Sequence, residues 1–348
     1  MKAVLRRGPK KVSVVERDMP EPGGGEVVVK VAYTGICGSD THRFIEDNSK
    51  WDKLVLGHEF SGTIHSIGAD VSDLAPGDKV TAAPLVPCHE CEFCARGEFS
   101  LCEGYTFVGS RIDGSFAEYV KVPASNIVLL GVGFPLEKGA FIEPVTVCLH
   151  PILRLGNLLG KTVAVTGLGA IGLLAVQIFK AMGAKNIIAS DIVAEKLSLA
   201  LEMGATRAVN VAVESLEDVL NSMKGADVVF ESSGSNPAKI SAVKIAKGRG
   251  TVLLVGTSPR DITFEASLFE RITRKELNIV GSWMNYSAPW PGSEWETAVW
   301  MIKEGLINTD PLTTHRYGIE DFQKGLDVIF GGKELFIKII VTPSQEIS

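Results

Sequence analysis

Val163-Ala-Val-Thr-Gly167-Leu-Gly169-Ala-Ile-Gly172 follows a β-branched start at Thr162 and runs into an apolar stretch, Ala170–Met182. No charged residue occurs from Thr162 to Phe179, a length close to what a membrane-spanning helix needs. The three glycines decide otherwise, because a strand–turn–helix requires them and a spanning helix does not. In such a unit one glycine makes the tight turn, the next admits a pyrophosphate close to the backbone, and the last lets helix pack on strand. The helix N-terminus then offers free N–H groups to phosphate. Gly167, Gly169, Ala170, Ile171 and Gly172 are therefore candidate cofactor-binding positions. The next strand-like run, Asn186–Asp191, ends on a carboxylate about 20 residues further on, where an acid grips a ribose 2′-hydroxyl. Asp191 would repel a 2′-phosphate, and Ile192 and Val193 supply no arginine to hold one, which favours NAD over NADP. Lys196 is a candidate to bond the ribose, and Val255 and Gly256 complete the candidate cofactor set. Asp191 could instead act as a helix N-cap.

Outward from this loop the alternation continues, with Glu195–Met203 and a stretch around Lys239–Ala246 reading as helices and Asp227–Glu231 and Thr251–Val255 as strands. Strands alternating with helices imply a doubly wound parallel sheet, an α/β architecture. Residues before about 145 read differently. Val12–Val15, Glu26–Tyr33, Phe60–Ile67, Lys79–Ala83 and Phe116–Val122 are short β-rich runs, separated by turn signals such as Pro76-Gly-Asp78 and Asp113-Gly114. A compact β barrel or sandwich is expected there. Past residue 284, Ser293-Glu-Trp-Glu296 has the form of a capping box opening a helix to about Lys303. A second helix is expected over Ile319–Ile329 and a last strand over Leu335–Val341, returning to the first domain. The expected division is 1–145 with 288–348, and 146–287.

At 348 residues two domains are the natural expectation. The 35 basic and 41 acidic residues give a net charge of −6 without long blocks of one sign, which leaves no footprint for nucleic acid. The start of the chain has no apolar signal core, so a cytoplasmic protein not held by a membrane is expected.

Cys88, Cys91, Cys94 and Cys102 have the spacing C-x2-C-x2-C-x7-C. Four thiolates on one short loop suit a closed, structural zinc site. An iron–sulfur cluster is the rival, although the last spacing differs from ferredoxin runs and no proline follows Cys102. His89, inside the loop, reads as solvated rather than ligating. A second constellation is dispersed: Cys37 in Gly35-Ile-Cys-Gly-Ser-Asp-Thr-His42, His58 in Gly57-His-Glu-Phe60, and Glu143 in Phe141-Ile-Glu-Pro-Val145. A cysteine, a histidine and a carboxylate would leave a fourth metal position open, as catalysis requires.

With the Gly57-His-Glu59 box, the four-cysteine lobe and the nucleotide loop in this order, the sequence resembles the zinc-dependent medium-chain alcohol/polyol dehydrogenases over its whole length. The resemblance implies a GroES-like β-rich catalytic domain beside a Rossmann domain, with one catalytic zinc, one structural zinc and NAD per chain. It makes Cys37, His58 and Glu143 metal ligands and Glu59 a ligand or close neighbour. Glu143-Pro144 stands where typical alcohol dehydrogenases have a second cysteine, which points to the sorbitol-dehydrogenase branch and leaves open which glutamate binds directly. Ser39 and His42 match positions that relay the alcohol proton; Ser39 or Glu143 with water is the other route. Gly109–Gly114 and the aromatic-rich Gly281–Thr297 resemble the branch acting on galactitol 1-phosphate. Within the latter, Asn285 and Tyr286 are candidates to reach a polyol, and Trp295 and Trp300 read as packing.

The expected activity is therefore NAD-linked oxidation of a secondary hydroxyl of a polyol phosphate to a keto-sugar phosphate. A pentitol phosphate such as D-arabitol phosphate, or a free polyol, shares every motif. Arg43 and Arg111, beside the matched motifs, are the candidates for a phosphate, or else exposed surface residues; Lys338 is a candidate for the cofactor pyrophosphate. A non-catalytic zinc and nucleotide-binding regulator is the rival from another class. Relatives form homodimers or homotetramers through the nucleotide domain, making Leu277–Trp283 a candidate edge strand at an interface.

Overall fold

Thr162–Thr166 is buried at every position, as befits a strand covered on both faces of a parallel sheet. In the computed structural model, which describes residues 1–258 and 260–344, it is the third of six parallel strands. Their order is Arg207–Asn210, Asn186–Asp191, Thr162–Thr166, Ala226–Glu231, Ala246–Leu254 and Asn278–Gly281. The order reverses between Thr162–Thr166 and Ala226–Glu231, so a crevice opens at the carboxyl ends of these two strands. One face of the sheet packs Ala164, Ile188, Val229 and Val252 against Leu216, Leu220, Ala242 and Ile245. The apolar stretch after the glycines forms the helix Ala170–Ala181, buried from Gly172 to Phe179. Among the described residues no helix is long and apolar enough to cross a membrane.

The chain divides into two units, Met1–Thr146 with Tyr286–Lys303 and Thr309–Ser348, and Val147–Asn285 with Glu304–Asn308. The short segment Glu304–Asn308 groups with the parallel-sheet unit, where the Asn308 N–H donates to Gln177 Oε1 at 2.7 Å.

The other unit is built on a seven-stranded sheet. Its order is Thr313–Gly318, Lys338–Thr342, Glu26–Gly35, Glu59–Ile67, Lys79–Ala82 and Ile127–Leu129, with Tyr119–Pro123 also paired to Glu26–Gly35. Alternate residues Val27, Val29 and Val31 join Phe60, Ile64, Val80 and Val120 in its core, one face of a strand of period two, while Val28, Ala32 and Thr34 on the other face are buried as well. The tail returns to this sheet, Ile340 pairing with Gly35.

Three local expectations shift. Ser293 is the first residue of the helix Ser293–Lys303 rather than its cap, with buried Glu294 accepting from the Ser287 hydroxyl at 2.6 Å. The strand Ala246–Leu254 begins where the preceding helix was expected to end, that helix being Asn236–Ile245. Trp295 is a core residue as expected, but Trp300 is 53% exposed, so it does not serve packing.

Candidate active site and metal centres

Of the dispersed residues Cys37 and His58 meet, joined by Glu59 and not by Glu143, because of strand register. Gly35 pairs with Glu59, which sets Cys37, two residues past Gly35, beside His58 and Glu59. The donor atoms of Cys37, His58 and Glu59 all lie within 4.8 Å of one another. Cys37 is the N-cap of the helix Gly38–Ile45, and its sulfur accepts from the Ser39 N–H and hydroxyl, both at 3.4 Å. On the neighbouring strand Lys338 sits two residues before Ile340, the partner of Gly35. Its amine donates to Glu59 Oε2 at 2.5 Å, with both side chains buried. A β-carbon on Gly35 would lie 2.4 Å from Glu59 Oε2, so only glycine leaves room for this pair.

One neighbour of the donors was not singled out from sequence. Asp40 is fully buried; its carboxylate accepts from the Cys37 N–H at 3.2 Å and from Arg43 at 3.0 Å. It also faces His58 Nδ1 at 3.5 Å, an ion-pair separation rather than a formed hydrogen bond, and Nδ1 has no other partner. A histidine that binds metal through one nitrogen needs the other oriented by an acceptor, and Asp40 stands in that place. The sequence held a signal for it, since Cys37 and Asp40 form a capping box at the usual spacing. Lys338 was expected at the cofactor; the structure commits its amine to Glu59.

The electrostatics suit a dication. Burial disfavours charge on His58, but Asp40 and then Cys37 outweigh it and raise the imidazole well above the usual histidine range. Burial would lower Lys338, yet Glu59 and Cys37, with Glu143 further off, hold its amine above the ordinary lysine value. Asp40 and Glu59 thus each have a basic partner, Arg43 and Lys338, and a cysteine, a histidine and a carboxylate are donors that suit a divalent cation. Glu143, buried on the helix Ile142–Ile152, lies outside the three-donor cluster.

The second cluster is compact. The sulfurs of Cys88, Cys91, Cys94 and Cys102 lie within 4.8 Å of one another, with Cys88–Cys102 at 3.4 Å and Cys88–Cys94 at 4.0 Å. A tetrahedral zinc with bonds of about 2.3 Å spaces its sulfurs about 3.8 Å apart, so the set fits that ion. All six cysteines are free. Backbone N–H groups of Cys94 and Glu103 draw the Cys91 thiol down to about 6, while burial pushes Cys94 up to about 12. His89 is exposed and outside the cluster, edge-on to Trp290 and Phe99.

At the crevice of the parallel sheet, Gly167 adopts φ +86° and a β-carbon there would strike Ser233. Gly169 caps the helix Ala170–Ala181 and faces open space, with nothing within 4 Å of a β-carbon. That gap, before the N–H groups of Ala170 and Ile171, suits a phosphate. A β-carbon on Gly172 would press the Gly167 carbonyl at 1.9 Å, which accounts for the third glycine. Asp191 Oδ2 accepts from the Leu168 N–H at 2.7 Å and Oδ1 from Ile192 and Val193. Val193, not Asp191, is the N-cap of the helix Ala194–Met203, so the carboxylate is held at the glycine loop and not used as a cap. Lys196 is half-buried in that helix. Val255 and Gly256 both spend their N–H groups on the Glu231 carbonyl at 2.9 Å, which leaves no N–H from either for a cofactor.

The expected substrate residues scatter. Arg43 bonds Ser39 and Asp40; His42 is exposed one turn along the same helix. Arg111 is exposed on the loop after Thr106–Phe107. Tyr286 is 2% exposed, its hydroxyl accepts from the Leu85 N–H at 3.1 Å, and its ring stacks with Trp290 and Trp295. Its place is therefore in packing, not on a polyol. Burial, with the nearby Glu143 charge, raises its phenol well above the usual range. Asn285 is buried as well.

Residues 23–131 match the family described as the alcohol dehydrogenase GroES-like domain, and residues 170–304 match the zinc-binding dehydrogenases. The chain is 42% identical over 330 residues to the galactitol 1-phosphate 5-dehydrogenase of Escherichia coli strain K12, covering 94% of this chain and 95% of that one. The crystal structure of galactitol-1-phosphate dehydrogenase from Escherichia coli superposes with a TM-score of 0.94 at 41% identity, over 99% of this chain and 100% of the other. A structure described as a zinc-binding dehydrogenase from Sinorhizobium meliloti 1021, bound to NADP, gives 0.88 at 32% identity, over 98% and 99%.

Proposed function

The chain belongs to the zinc-binding dehydrogenases that carry an alcohol dehydrogenase GroES-like domain, and within that family we propose that it oxidises a secondary hydroxyl of a polyol phosphate of the galactitol 1-phosphate type with NAD. The observation that carries the reading is the three-donor cluster of Cys37, His58 and Glu59, a set that leaves a fourth position for a substrate oxygen. The 42% identity to galactitol 1-phosphate 5-dehydrogenase supports the substrate class. Asp191, at the end of its strand with its carboxylate fixed by the Leu168 N–H, supports NAD, since it would repel a 2′-phosphate.

A zinc ion held by this set would supply Lewis-acid polarisation of the hydroxyl, and a nicotinamide cofactor would supply the hydride acceptor. Cys37, His58 and Glu59 hold the cation. Asp40 orients the His58 ring, and Lys338 offsets the Glu59 charge so that the donors do not repel one another when the site is filled or emptied. Ser39 Oγ, beside the Cys37 sulfur, takes the substrate proton as its own hydroxyl proton leaves, and His42, exposed on the same helix, passes a proton on to solvent. The four-cysteine lobe holds the second zinc. Self-association through the edge strand Asn278–Gly281 belongs to the same reading.

The test measures reduced-cofactor formation with galactitol 1-phosphate, D-arabitol phosphate, galactitol and sorbitol, with NAD and with NADP. Turnover of galactitol 1-phosphate with NAD, at a kcat/KM above every other pairing, is the expected result. Preference for a free polyol discards the phosphate part, and preference for NADP discards the role given to Asp191.

A further inference from the structure

The structure treats the two arginines near the three-donor cluster differently. Arg43 Nη1 donates to Asp40 Oδ1 at 3.0 Å and to Ser39 Oγ at 3.1 Å, and the guanidinium lies over the Trp51 ring at 5.6 Å. Both of its partners touch metal donors, Ser39 Oγ reaching the Cys37 sulfur at 3.4 Å and Asp40 facing His58 at 3.5 Å. Its charge is spent on a buried carboxylate at the reacting end of the site. Arg111 has no carboxylate partner among the described residues. Its guanidinium donates to the Tyr105 carbonyl and lies over the Tyr105 ring at 3.8 Å. A guanidinium held by a carbonyl and a ring keeps its full charge and most of its donors for an anion.

Its position also follows from the chain. The Arg111 N–H donates to the Phe107 carbonyl at 2.9 Å, and the Phe107 ring meets the edge of the His58 ring at 5.5 Å. The loop is pressed onto the residue before His58, since a β-carbon on Gly109 would lie 2.1 Å from the Gly57 carbonyl oxygen. The Ser115 N–H donates to that same oxygen at 2.9 Å. Arg111 is thus tied to His58 through one backbone hydrogen bond and one ring contact, outside the three-donor cluster. A polyol phosphate oxidised toward one end carries its phosphate at the other, so the phosphate receptor must stand off from the metal by the length of the carbon chain. Arg111, off the donor cluster and without a carboxylate partner among the described residues, is open to such a phosphate, whereas Arg43 is engaged beside the donors.

We propose that Arg111 is the residue that recognises the substrate phosphate, and that Arg43 is a positioning residue for Asp40 and Ser39. The inference rests on the polyol-phosphate reading above. It is tested by kcat/KM for galactitol 1-phosphate and for galactitol in the wild type, Arg111→Gln, Arg111→Lys and Arg43→Gln. Calorimetric titration of zinc-loaded wild type and Arg111→Gln with inorganic phosphate is the second readout. A charge-assisted contact gives an expected fall of about 10- to 100-fold in the phosphorylated-to-free kcat/KM ratio for Arg111→Gln, carried by KM, with partial rescue by lysine and weaker phosphate binding. Arg43→Gln is expected to lower turnover of both substrates alike. An unchanged ratio in Arg111→Gln, or its loss in Arg43→Gln alone, overturns the assignment. If the wild type shows no preference for the phosphorylated polyol, the substrate reading has failed. Loss of phosphate binding in Arg111→Gln then still upholds Arg111 as the anion receptor, and unchanged binding overturns it.

Discussion

Replacing Lys338 with methionine removes the amine that lies 2.5 Å from Glu59 Oε2. The methionine fills most of the same volume, so the main loss is electrostatic. Glu59 is 2% exposed and cannot turn to water, because the neighbouring strand and Gly35 enclose it. Stripping one partner from a buried pair costs about 3–5 kcal/mol. That penalty applies to the metal-free protein. With a divalent cation at Cys37, His58 and Glu59 the carboxylate has another counter-charge, so the cost with zinc is smaller. The assay is urea unfolding of wild type and Lys338→Met, each with zinc and with a chelator, followed by tryptophan fluorescence. At about 2–3 kcal/mol per molar urea, the metal-free midpoint is expected to fall by about 1–2.5 M, and the zinc-loaded midpoint by clearly less. Equal shifts in the two conditions would mean that Glu59 does not share its charge with a bound cation. A metal-free shift worth under about 1 kcal/mol, the size of an exposed pair, would mean that the amine does not hold the buried carboxylate at all.

Asp191→Ala is expected to raise the KM for NAD about 10- to 100-fold, the worth of charged hydrogen bonds, while narrowing the preference over NADP; steady-state kinetics with both cofactors decide it. Asp227 tests the pH dependence of the parallel-sheet unit. Burial would raise its carboxyl, but Lys247, the Thr162 N–H and Lys161 outweigh this and hold it below the usual aspartate range. A lowered folded pKa means stability present above the ordinary aspartate range and lost as pH falls through the folded value. Asp227→Asn should therefore unfold more easily than wild type at neutral pH, with the two urea midpoints converging as pH falls below the ordinary aspartate range; a gap that stays constant as the pH falls contradicts the pairing. Ile279, 39% exposed on the edge strand Asn278–Gly281, is expected at an interface, since an unpaired edge is a template for another chain. Ile279→Glu should give a monomer by light scattering where the wild type is a dimer or larger, and a monomeric wild type would refute the interface.

Features encoded over short spans were readable from the chain. Four cysteines within fifteen residues are drawn together by loop closure alone, and the sulfurs of Cys88, Cys91, Cys94 and Cys102 do cluster. The glycine loop and Asp191 were legible because a strand, a turn and a helix follow one another directly. The three-donor cluster was legible only in outline. What brings Cys37 to Glu59 is the antiparallel register at Gly35, and no local pattern states which strands pair. Lys338 lies near the end of the chain and meets Glu59 only because the last strand returns beside Glu26–Gly35. Asp40 had a visible signal, the capping box, passed over because aspartate at such a spacing usually serves the helix alone. Arg43 and Arg111 could not be told apart in sequence, as each follows a matched motif; their partners separate them. Tyr286 looked available for a polyol, yet stacking on Trp290 and Trp295 depends on how a proline-rich segment folds, which composition does not reveal.

The most direct test of the central claim follows NADH formation from galactitol 1-phosphate before chelation, after removal of metal, and after return of zinc, with bound zinc counted at each stage. The expected result is two zinc ions per chain, turnover that vanishes when the ion at Cys37, His58 and Glu59 is withdrawn, and recovery on readdition. Undiminished turnover after that ion is gone, or none of this substrate by fully zinc-loaded protein, would contradict it.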